Sequence, residues 1–254
     1  MRRIVIIGTA LSALGLAVSA YAATGNTYTA KDSFSPNKAG SAKSPVQIGF
    51  KLNFAAKGTG GNRTAPLTNI TNTFYGMTSN GKDFPTCSLN KIAVAHNDTI
   101  CPKRALVGSG GLTAVLGPAN NLSISAQTTP CARTIHVWNA GQGKVVFFFL
   151  GAKVTCGGIG TGDIGPFQAT LKVKSGTLSL NVPIPRSVSF PIPSLQGSLL
   201  SEQLSYLKRT AKVNGKTVGF FQSVGCKRGN RAYSSVFTAN GQKSTVAGTA
   251  KCTK

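Results

Sequence analysis

The chain has 254 residues, and its 28 lysines and arginines outnumber its 5 aspartates and glutamates, so its formal net charge is +23. Charged residues make up 13% of the chain, about half the usual share in a globular domain, and hydrophobic residues make up 41%. This apolar content excludes a disordered chain. Five acidic residues also leave little for carboxylate-pair catalysis or for Mg²⁺ and Ca²⁺ sites, so we expect neither a cofactor nor a metal site.

The N-terminus is typical of a secretory signal peptide. Two arginines follow the first residue, residues 4–18 are apolar, and residues 20–22 match the small-x-small pattern that signal peptidase reads. We expect residues 1–22 to be removed, and the mature protein to be secreted or associated with the cell envelope. The alternative is a retained anchor, but the apolar stretch is shorter than the ~20 residues that cross a bilayer. We expect no transmembrane segment in the mature chain.

Residues 23–44 are rich in Ser, Thr, Lys and Gly, and we interpret them as a flexible lead-in. From residue 45 onward, apolar residues recur at every second position, which is typical of half-buried β-strands. Helix signals are few: residues 88–95 suggest one short turn, and Leu200, Leu204 and Leu207 have helical spacing, although residues 204–206 also suit a strand. The predicted strands are 46–54, 122–125, 135–138, 145–150, 167–173, 178–182, 218–224 and 236–238.

Asn-Gly pairs separate several of these runs. Asn214-Gly215 and Asn240-Gly241 fit best as type I′ hairpin turns, because both central residues of that turn need a positive φ. Many short strands with Gly and Pro turns predict an all-β fold, specifically an antiparallel β-sandwich of the jelly-roll or immunoglobulin-like kind with little helix. We expect one domain over 45–254. The proline-rich stretch 183–193 is interpreted as an edge or a crossover, and a linker between two smaller domains is the alternative.

All six cysteines lie after the predicted signal peptide. An even number in an exported chain indicates disulfides, and sequence neighbours are the default partners among the 15 pairings that six cysteines allow. A zinc site using Cys87, His96 and Cys101 is the alternative, but it has no C-x-x-C spacing. The predicted pairs are Cys87–Cys101, Cys131–Cys156 and Cys226–Cys252.

Catalytic motifs are not convincing in this chain. Residues 160–165 match G-x-G-x-x-G, but Pro166 and a strand follow instead of the helix that a dinucleotide site needs. The only histidines are His96 and His136. A Ser-His-Asp triad through His136 is conceivable, but the residue lies within a predicted strand, which favours a structural role. The candidate aspartates of such a triad are Asp83, Asp98 and Asp163.

The positive charge is dispersed along the chain. There is no basic helix and no aromatic RNA-binding motif, so we expect no specific nucleic-acid partner. Anionic cell-envelope polymers are the partners that such a charge would attract, and a solvated surface without a partner is the alternative. The densest basic pairs, and the candidate contacts to a polyanion, are Lys103-Arg104, Lys208-Arg209 and Lys227-Arg228.

Several short motifs together resemble a group of uncharacterised secreted proteins from actinobacteria. These are residues 35–40, 84–88, and 101–103 followed by 107–110, with a closing segment at 226–252 that contains two cysteines. The resemblance spans most of the mature chain. It implies export and a disulfide-linked β architecture. No activity is known for the group, so it assigns no functional residue.

The sequence therefore predicts a secreted or envelope-associated β module that is not an enzyme and that acts in binding or as a structural element. Two alternatives remain: a carrier that holds an apolar ligand inside the sandwich, and a hydrolase whose site the sequence does not reveal. A large closed apolar cavity would favour the carrier. A histidine joined to serine and aspartate would favour the hydrolase. The oligomeric state is not predicted.

Overall fold

The computed structural model describes residues 20–21, 25–150, 156 and 164–253. Most of them lie in antiparallel strands, which confirms the all-β prediction. The helices are short: α1 (Leu89–Ala95), α2 (Arg186–Ser189) and 3-10 turns at Gly81–Asp83 and Lys103–Ala105. The strands are β1 (Ala20–Tyr21), β2 (Asn26–Ala30), β3 (Ser33–Ser35), β4 (Val46–Gln47), β5 (Gly49–Gly58), β6 (Leu67–Tyr75), β7 (Met77–Ser79), β8 (Leu106–Pro118), β9 (Thr129–Gly141), β10 (Lys144–Leu150), β11 (Ile164–Lys174), β12 (Thr177–Pro183), β13 (Leu195–Tyr206), β14 (Thr210–Val213), β15 (Lys216–Gly219), β16 (Phe221–Ser223), β17 (Asn230–Ala239) and β18 (Gln242–Lys251).

One large sheet contains most of the strands. Its order is β1-β2-β5-β13-β8-β9-β10-β11-β12-β6-β17-β18, with β3 also paired to β5. Strand twist accumulates across a sheet of this width and makes it curl. Its two ends meet, since β2 contacts β18 and the rings of Tyr28 and Phe237 stack at 4.2 Å between centroids. The result is nearly closed and barrel-like, and it does not separate clearly into the two facing sheets of the predicted sandwich.

The inner face of this sheet surrounds the main hydrophobic core. On β5 the side chains of Phe50, Leu52 and Phe54 are buried in alternation with more exposed positions, as the period of two predicts. The predicted strand 46–54 is nevertheless split in two. Its first residues form β4, which pairs with β16 and so belongs to a separate three-stranded sheet.

The lead-in and the predicted strand 122–125 also differ from their predicted conformation. Within the predicted lead-in 23–44, residues 26–30 and 33–35 form β2 and β3, because Tyr28 contributes a large apolar ring that is buried in the core. The predicted strand 122–125 is a turn with one isolated bridge at Ser123. Asn121 and Ser123 accept hydrogen bonds from nearby backbone N–H groups, which competes with strand pairing.

Both predicted Asn-Gly hairpins are confirmed. Asn214 and Gly215 join β14 to β15 with φ of 48° and 76°, and Asn240 and Gly241 join β17 to β18 with φ of 49° and 72°. These four positive values match the requirement of the two-residue turn. The hairpin β14–β15 forms its own two-stranded sheet.

The proline-rich stretch 183–193 links two strands of the same large sheet. It leaves β12, forms α2 and enters β13, which lies several strands away from β12 in the sheet order. Ile184 donates its N–H to Thr68 O at 2.9 Å, and Ser189 donates its hydroxyl to Leu67 O at 3.3 Å, so the stretch is attached to β6. This is the predicted crossover.

The three predicted disulfides are present as Cys87–Cys101, Cys131–Cys156 and Cys226–Cys252, so no cysteine thiolate is left for the zinc alternative. The first disulfide closes a loop that includes α1. This loop covers Trp138, Val146 and Phe148 on the outer face of the sheet and forms a second, smaller core. Among the described residues, no helix has the length and apolar character needed to cross a membrane.

Candidate functional site

Most of the described carboxylates lie inside the fold. Asp32 is 7% exposed and Asp98 is 3% exposed, while Glu202 faces the interior of the large sheet. Asp83, in a 3-10 turn, is half-buried. Burial raises the pKa of Asp32 to about 7, although the Asn53 backbone N–H donates to it and partly opposes the shift. The outer surface of the described part of the chain therefore has very little negative charge from side chains.

The lysines show the opposite distribution. Every lysine in the described part of the chain is exposed. Within the same residues, no lysine forms an ion pair with a carboxylate, and the ion-pair contact between described side chains joins His136 to Asp98. The lysine charges on the described surface are thus not neutralised by carboxylates, which produces a positive field around that surface.

The structure brings two of the three predicted basic pairs together. Arg209 donates from Nε to Leu106 O at 2.8 Å and from Nη2 to Lys103 O at 3.3 Å. Arg104 donates from Nη2 to Thr210 O at 3.2 Å. Each arginine thus ties its own segment to the other segment, so two pairs about a hundred residues apart in sequence become neighbours.

We call these four residues the basic surface. Lys103, Arg104 and Lys208 are exposed and Arg209 is half-buried, so their charges face solvent. The hairpin β14–β15 follows directly and carries further exposed lysines. The basic surface consists of Lys103, Arg104, Lys208 and Arg209, and the neighbouring hairpin lysines are Lys212 and Lys216.

The third predicted pair lies elsewhere. Lys227 exchanges backbone hydrogen bonds with Asn230, which makes a tight turn of Arg228 and Gly229 beside the disulfide of Cys226. Both side chains of the pair are exposed. No hydrogen bond between described residues connects this turn to the basic surface.

Three other arginines have internal roles. Arg63 donates to the carbonyl oxygens of Gln196, Pro118 and Asn121, and Arg133 lines an interior pocket. Arg231 is buried over the ring of Phe34 and donates to two backbone carbonyls of β6 and the following turn. Burial lowers the pKa of Arg231 to about 10, and the guanidinium stays protonated at neutral pH.

The curled sheet contains an apolar pocket at the crossover. Its cavity volume is about 90 Å³, and it opens to solvent on one side. Strands β8, β9 and β13 form one wall, and β6 and the crossover form another. The only charged side chains in its lining are Arg133 and Glu202 among the described residues. Its apolar lining includes Leu67, Ile70, Leu112, Leu116, Phe149, Ile164, Ile184, Val188 and Leu199.

Glu202 reaches this pocket because of an irregularity in β13. The register between β13 and β8 shifts between Leu199 and Ser201, as in a β-bulge. Leu199 and Glu202 therefore both line the pocket, although an unbroken strand would place them on opposite faces. In the register of the sheet, Leu112 lies between Glu202 on β13 and Arg133 on β9.

The Glu202 carboxyl has no hydrogen bond or ion pair with any described residue. Burial raises its pKa to about 7. It also lines a second, smaller void of about 20 Å³ that continues toward Tyr206, whose buried hydroxyl lacks a hydrogen-bond partner. The pKa of Tyr206 lies well above its usual value because of burial and the nearby Glu202 carboxylate. Glu202 thus lies where the two voids meet.

His136 and Asp98 form the nearest approach to a catalytic arrangement. Asp98 Oδ2 lies 2.6 Å from His136 Nδ1 and accepts a hydrogen bond from Trp138 Nε1 at 3.0 Å. Ser109 is the cross-strand neighbour of His136 on β8. No hydroxyl of the described residues is hydrogen-bonded to the imidazole. Asp163, another predicted candidate, lies outside the described residues, and Asp83 and His96 are not joined to His136.

Sequence reasoning missed Glu202 as a site residue. It is the only glutamate in the chain, and it occupies an inward position between Leu199 and Leu204. The sequence signal that could have found it is a single acidic residue within an apolar, strand-like stretch. No group of three or more His, Cys, Asp or Glu side chains in the described parts could hold a metal ion.

Comparisons of the chain with protein-family models, with curated proteins and with solved structures find no match. The resemblance to secreted actinobacterial proteins therefore stays a prediction.

Proposed function

We propose that this protein is an extracytoplasmic, non-enzymatic binding module that contacts anionic polymers of the cell envelope through its basic surface. The observation that carries this proposal is the distribution of charge: the described lysines are all exposed, while Asp32, Asp98 and Glu202 lie inside the fold. Three disulfides and the predicted signal peptide support a location outside the cytoplasm.

The basic surface is the expected centre of contact. Its two arginines already use several donors on backbone carbonyls, so they hold the geometry while Lys103 and Lys208 remain free of carboxylate partners. Lysine ammonium groups act as point charges without the bidentate geometry of arginine. Binding should therefore depend on charge density more than on polymer sequence.

The test is retention of the mature protein on an anionic polymer or on purified envelopes across a salt gradient. The Debye length falls from about 10 Å at 0.1 M to about 3 Å at 1 M, so retention should fall steeply with salt. The double variant Lys103→Gln with Lys208→Gln should elute at lower salt than the matched control Lys243→Gln with Lys251→Gln. Both variants lose two charges, but the control changes exposed lysines on β18.

Three results would argue against the proposal. No retention at low salt would leave the charge as a solvated surface. Retention that is insensitive to salt would indicate a shaped site for a specific ligand. Equal effects of the two double variants would mean that net charge acts without any contribution from the basic surface.

A second candidate function is a carrier of a small apolar ligand, and the interior pocket favours it. The pocket opens to the outside, which allows entry, whereas the sequence-based criterion for a carrier was a closed cavity. Its apolar walls would bury the body of a hydrophobic molecule. This burial stabilises the complex by roughly 25 cal/mol for each Å² of apolar surface removed from water. Binding of an apolar fluorophore that is lost on filling the pocket would test this candidate.

The hydrolase alternative has the weakest support. His136 is oriented by Asp98, but Asp98 also accepts from Trp138, and the outer-face loop closed by Cys87–Cys101 covers this region. These contacts suit a hydrogen-bonded anchor between loop and sheet.

A further inference from the structure

The interior pocket contains a single acidic group in apolar surroundings. Glu202 is half-buried on the inner face of β13, and the cross-strand residues beside it are Phe54 on β5 and Leu112 on β8. Neither neighbour has a side chain that can donate a hydrogen bond. A carboxyl placed among such side chains loses part of its hydration without gaining a partner, which is costly in a folded protein.

Other groups in the two voids do not satisfy this carboxyl. The titratable or charged side chains that line them besides Glu202 are Arg133 on β9 and Tyr206 on β13. Arg133 forms no ion pair with Glu202, and in the register of the sheet Leu112 stands between them. The Tyr206 hydroxyl has no hydrogen-bond partner, so it does not donate to Glu202.

We propose that the pocket binds a small apolar molecule with one protonated amine, and that the amine lies against the Glu202 carboxylate while the hydrocarbon body occupies the apolar lining. This inference rests on the second candidate function, the carrier, and names its ligand class. The pocket supplies burial for the hydrocarbon, and Glu202 supplies an acceptor for each N–H of an ammonium group that reaches it.

The energetic reason is preorganisation. The protein already holds the carboxyl in apolar surroundings before the ligand arrives, so much of its desolvation cost is met in folding. An ammonium group then gains an attraction that is stronger in this environment than in water. A carboxylate ligand would instead be repelled by ionised Glu202, and an alcohol would gain a hydrogen bond without the charge.

The test compares three eight-carbon probes that differ only in the polar end: octylamine, 1-octanol and octanoate. Isothermal titration calorimetry with the full mature protein at pH 8 measures each affinity. At this pH the amine is protonated, and a carboxyl with a pKa of about 7 is mostly ionised. We expect octylamine to bind at least about tenfold more tightly than the alcohol or the carboxylate.

Three variants assign the binding to the site. Glu202→Gln keeps the shape and should reduce the preference for the amine to about twofold or less. Asp83→Asn is the matched control, because it removes a carboxylate outside the pocket and should leave all affinities unchanged. Ala114→Phe places a ring into the pocket from β8 and should abolish binding of all three probes. Circular dichroism checks that each variant is folded.

The outcomes separate the two claims. The carrier function stands if the probes bind to the wild type and Ala114→Phe prevents that binding. The amine assignment is overturned, even then, if the amine is not preferred or if its preference survives in Glu202→Gln. If no probe binds to the wild type, or if binding survives in Ala114→Phe, the carrier function fails as well. The polyanion proposal is independent of each result, because it concerns the outer surface.

Discussion

Asp98 Oδ2 lies 2.6 Å from Nδ1 of His136, and this contact joins the disulfide-closed loop to the middle of β9. The same oxygen accepts a hydrogen bond from Trp138, which packs into the smaller core beneath that loop. One buried carboxylate thus attaches the loop by two side-chain contacts.

Replacing Asp98 with Ala should destabilise the protein. The change leaves the Trp138 N–H and the imidazole without their buried partner, which costs about 2–3 kcal/mol in the free energy of unfolding. Asp83→Ala is the control, because Asp83 is half-buried and outside this network, and it should cost about 0.5 kcal/mol or less. Urea denaturation curves measure both values, and equal losses would contradict the assigned anchoring role.

Glu202 should make stability depend on pH. Its pKa is about 7 in the folded protein, against a usual value of 4.5. Between about pH 4.5 and pH 7 the folded state binds more protons than the unfolded state. The stabilisation that comes from this proton uptake is therefore complete below about pH 4.5 and is lost as the pH rises through about 7. The upper limit of the loss is about 3 kcal/mol. Asp32, whose pKa is also about 7, acts in the same direction.

The variant Glu202→Gln should remove its share of this dependence. Relative to the wild type, its thermal midpoint should rise at pH 8 more than at pH 4, because the amide never has to ionise inside the pocket. Differential scanning calorimetry at both pH values measures the change. If the thermal midpoints of the wild type and the variant differ by the same amount at both pH values, Glu202 ionises freely in the folded protein.

Arg209 should stabilise the fold by its hydrogen bonds rather than by its charge alone. Arg209→Lys keeps the positive charge but cannot reach Leu106 O and Lys103 O with the same two donors. We expect a loss of about 1 kcal/mol in unfolding free energy, with salt-dependent retention on an anionic polymer nearly unchanged. If retention falls while stability is kept, the guanidinium itself recognises the polymer.

Ser109 should not behave as a catalytic nucleophile. It neighbours His136 across β8 and β9, but no hydrogen bond connects the two side chains. A fluorophosphonate probe should therefore leave the mature protein unlabelled, as judged by intact mass spectrometry. Labelling at Ser109 that is lost in His136→Ala would revive the hydrolase alternative.

The local features of this protein follow from its sequence. Asn214-Gly215 and Asn240-Gly241 form the predicted turns because positive φ values are a property of those residue pairs in any fold. Sequence neighbours also account for all three disulfides. Alternation of apolar residues predicted the buried face of β5 correctly, although not its bounds, since the period of two depends only on the backbone of the strand itself.

Long-range relationships were decided by the tertiary structure. The curl of the large sheet brings Tyr28 near the N-terminus onto Phe237 near the C-terminus, and no local pattern encodes that meeting. The same curl gives residues 26–30, which belong to the polar segment 23–44, a place in the sheet as β2. The basic surface arises in the same way, because hydrogen bonds from Arg104 and Arg209 join two segments that are far apart in the chain.

The pocket depends on a still subtler feature. Glu202 faces the interior because a β-bulge shifts the register of β13 beside Leu199, and a shift of one residue changes the face on which a side chain lies. The sequence by itself therefore determined an all-β, disulfide-linked and strongly basic protein. Only the tertiary structure decided which of its few acidic groups lies in a pocket and which of its basic pairs act together, because both depend on which strands become neighbours.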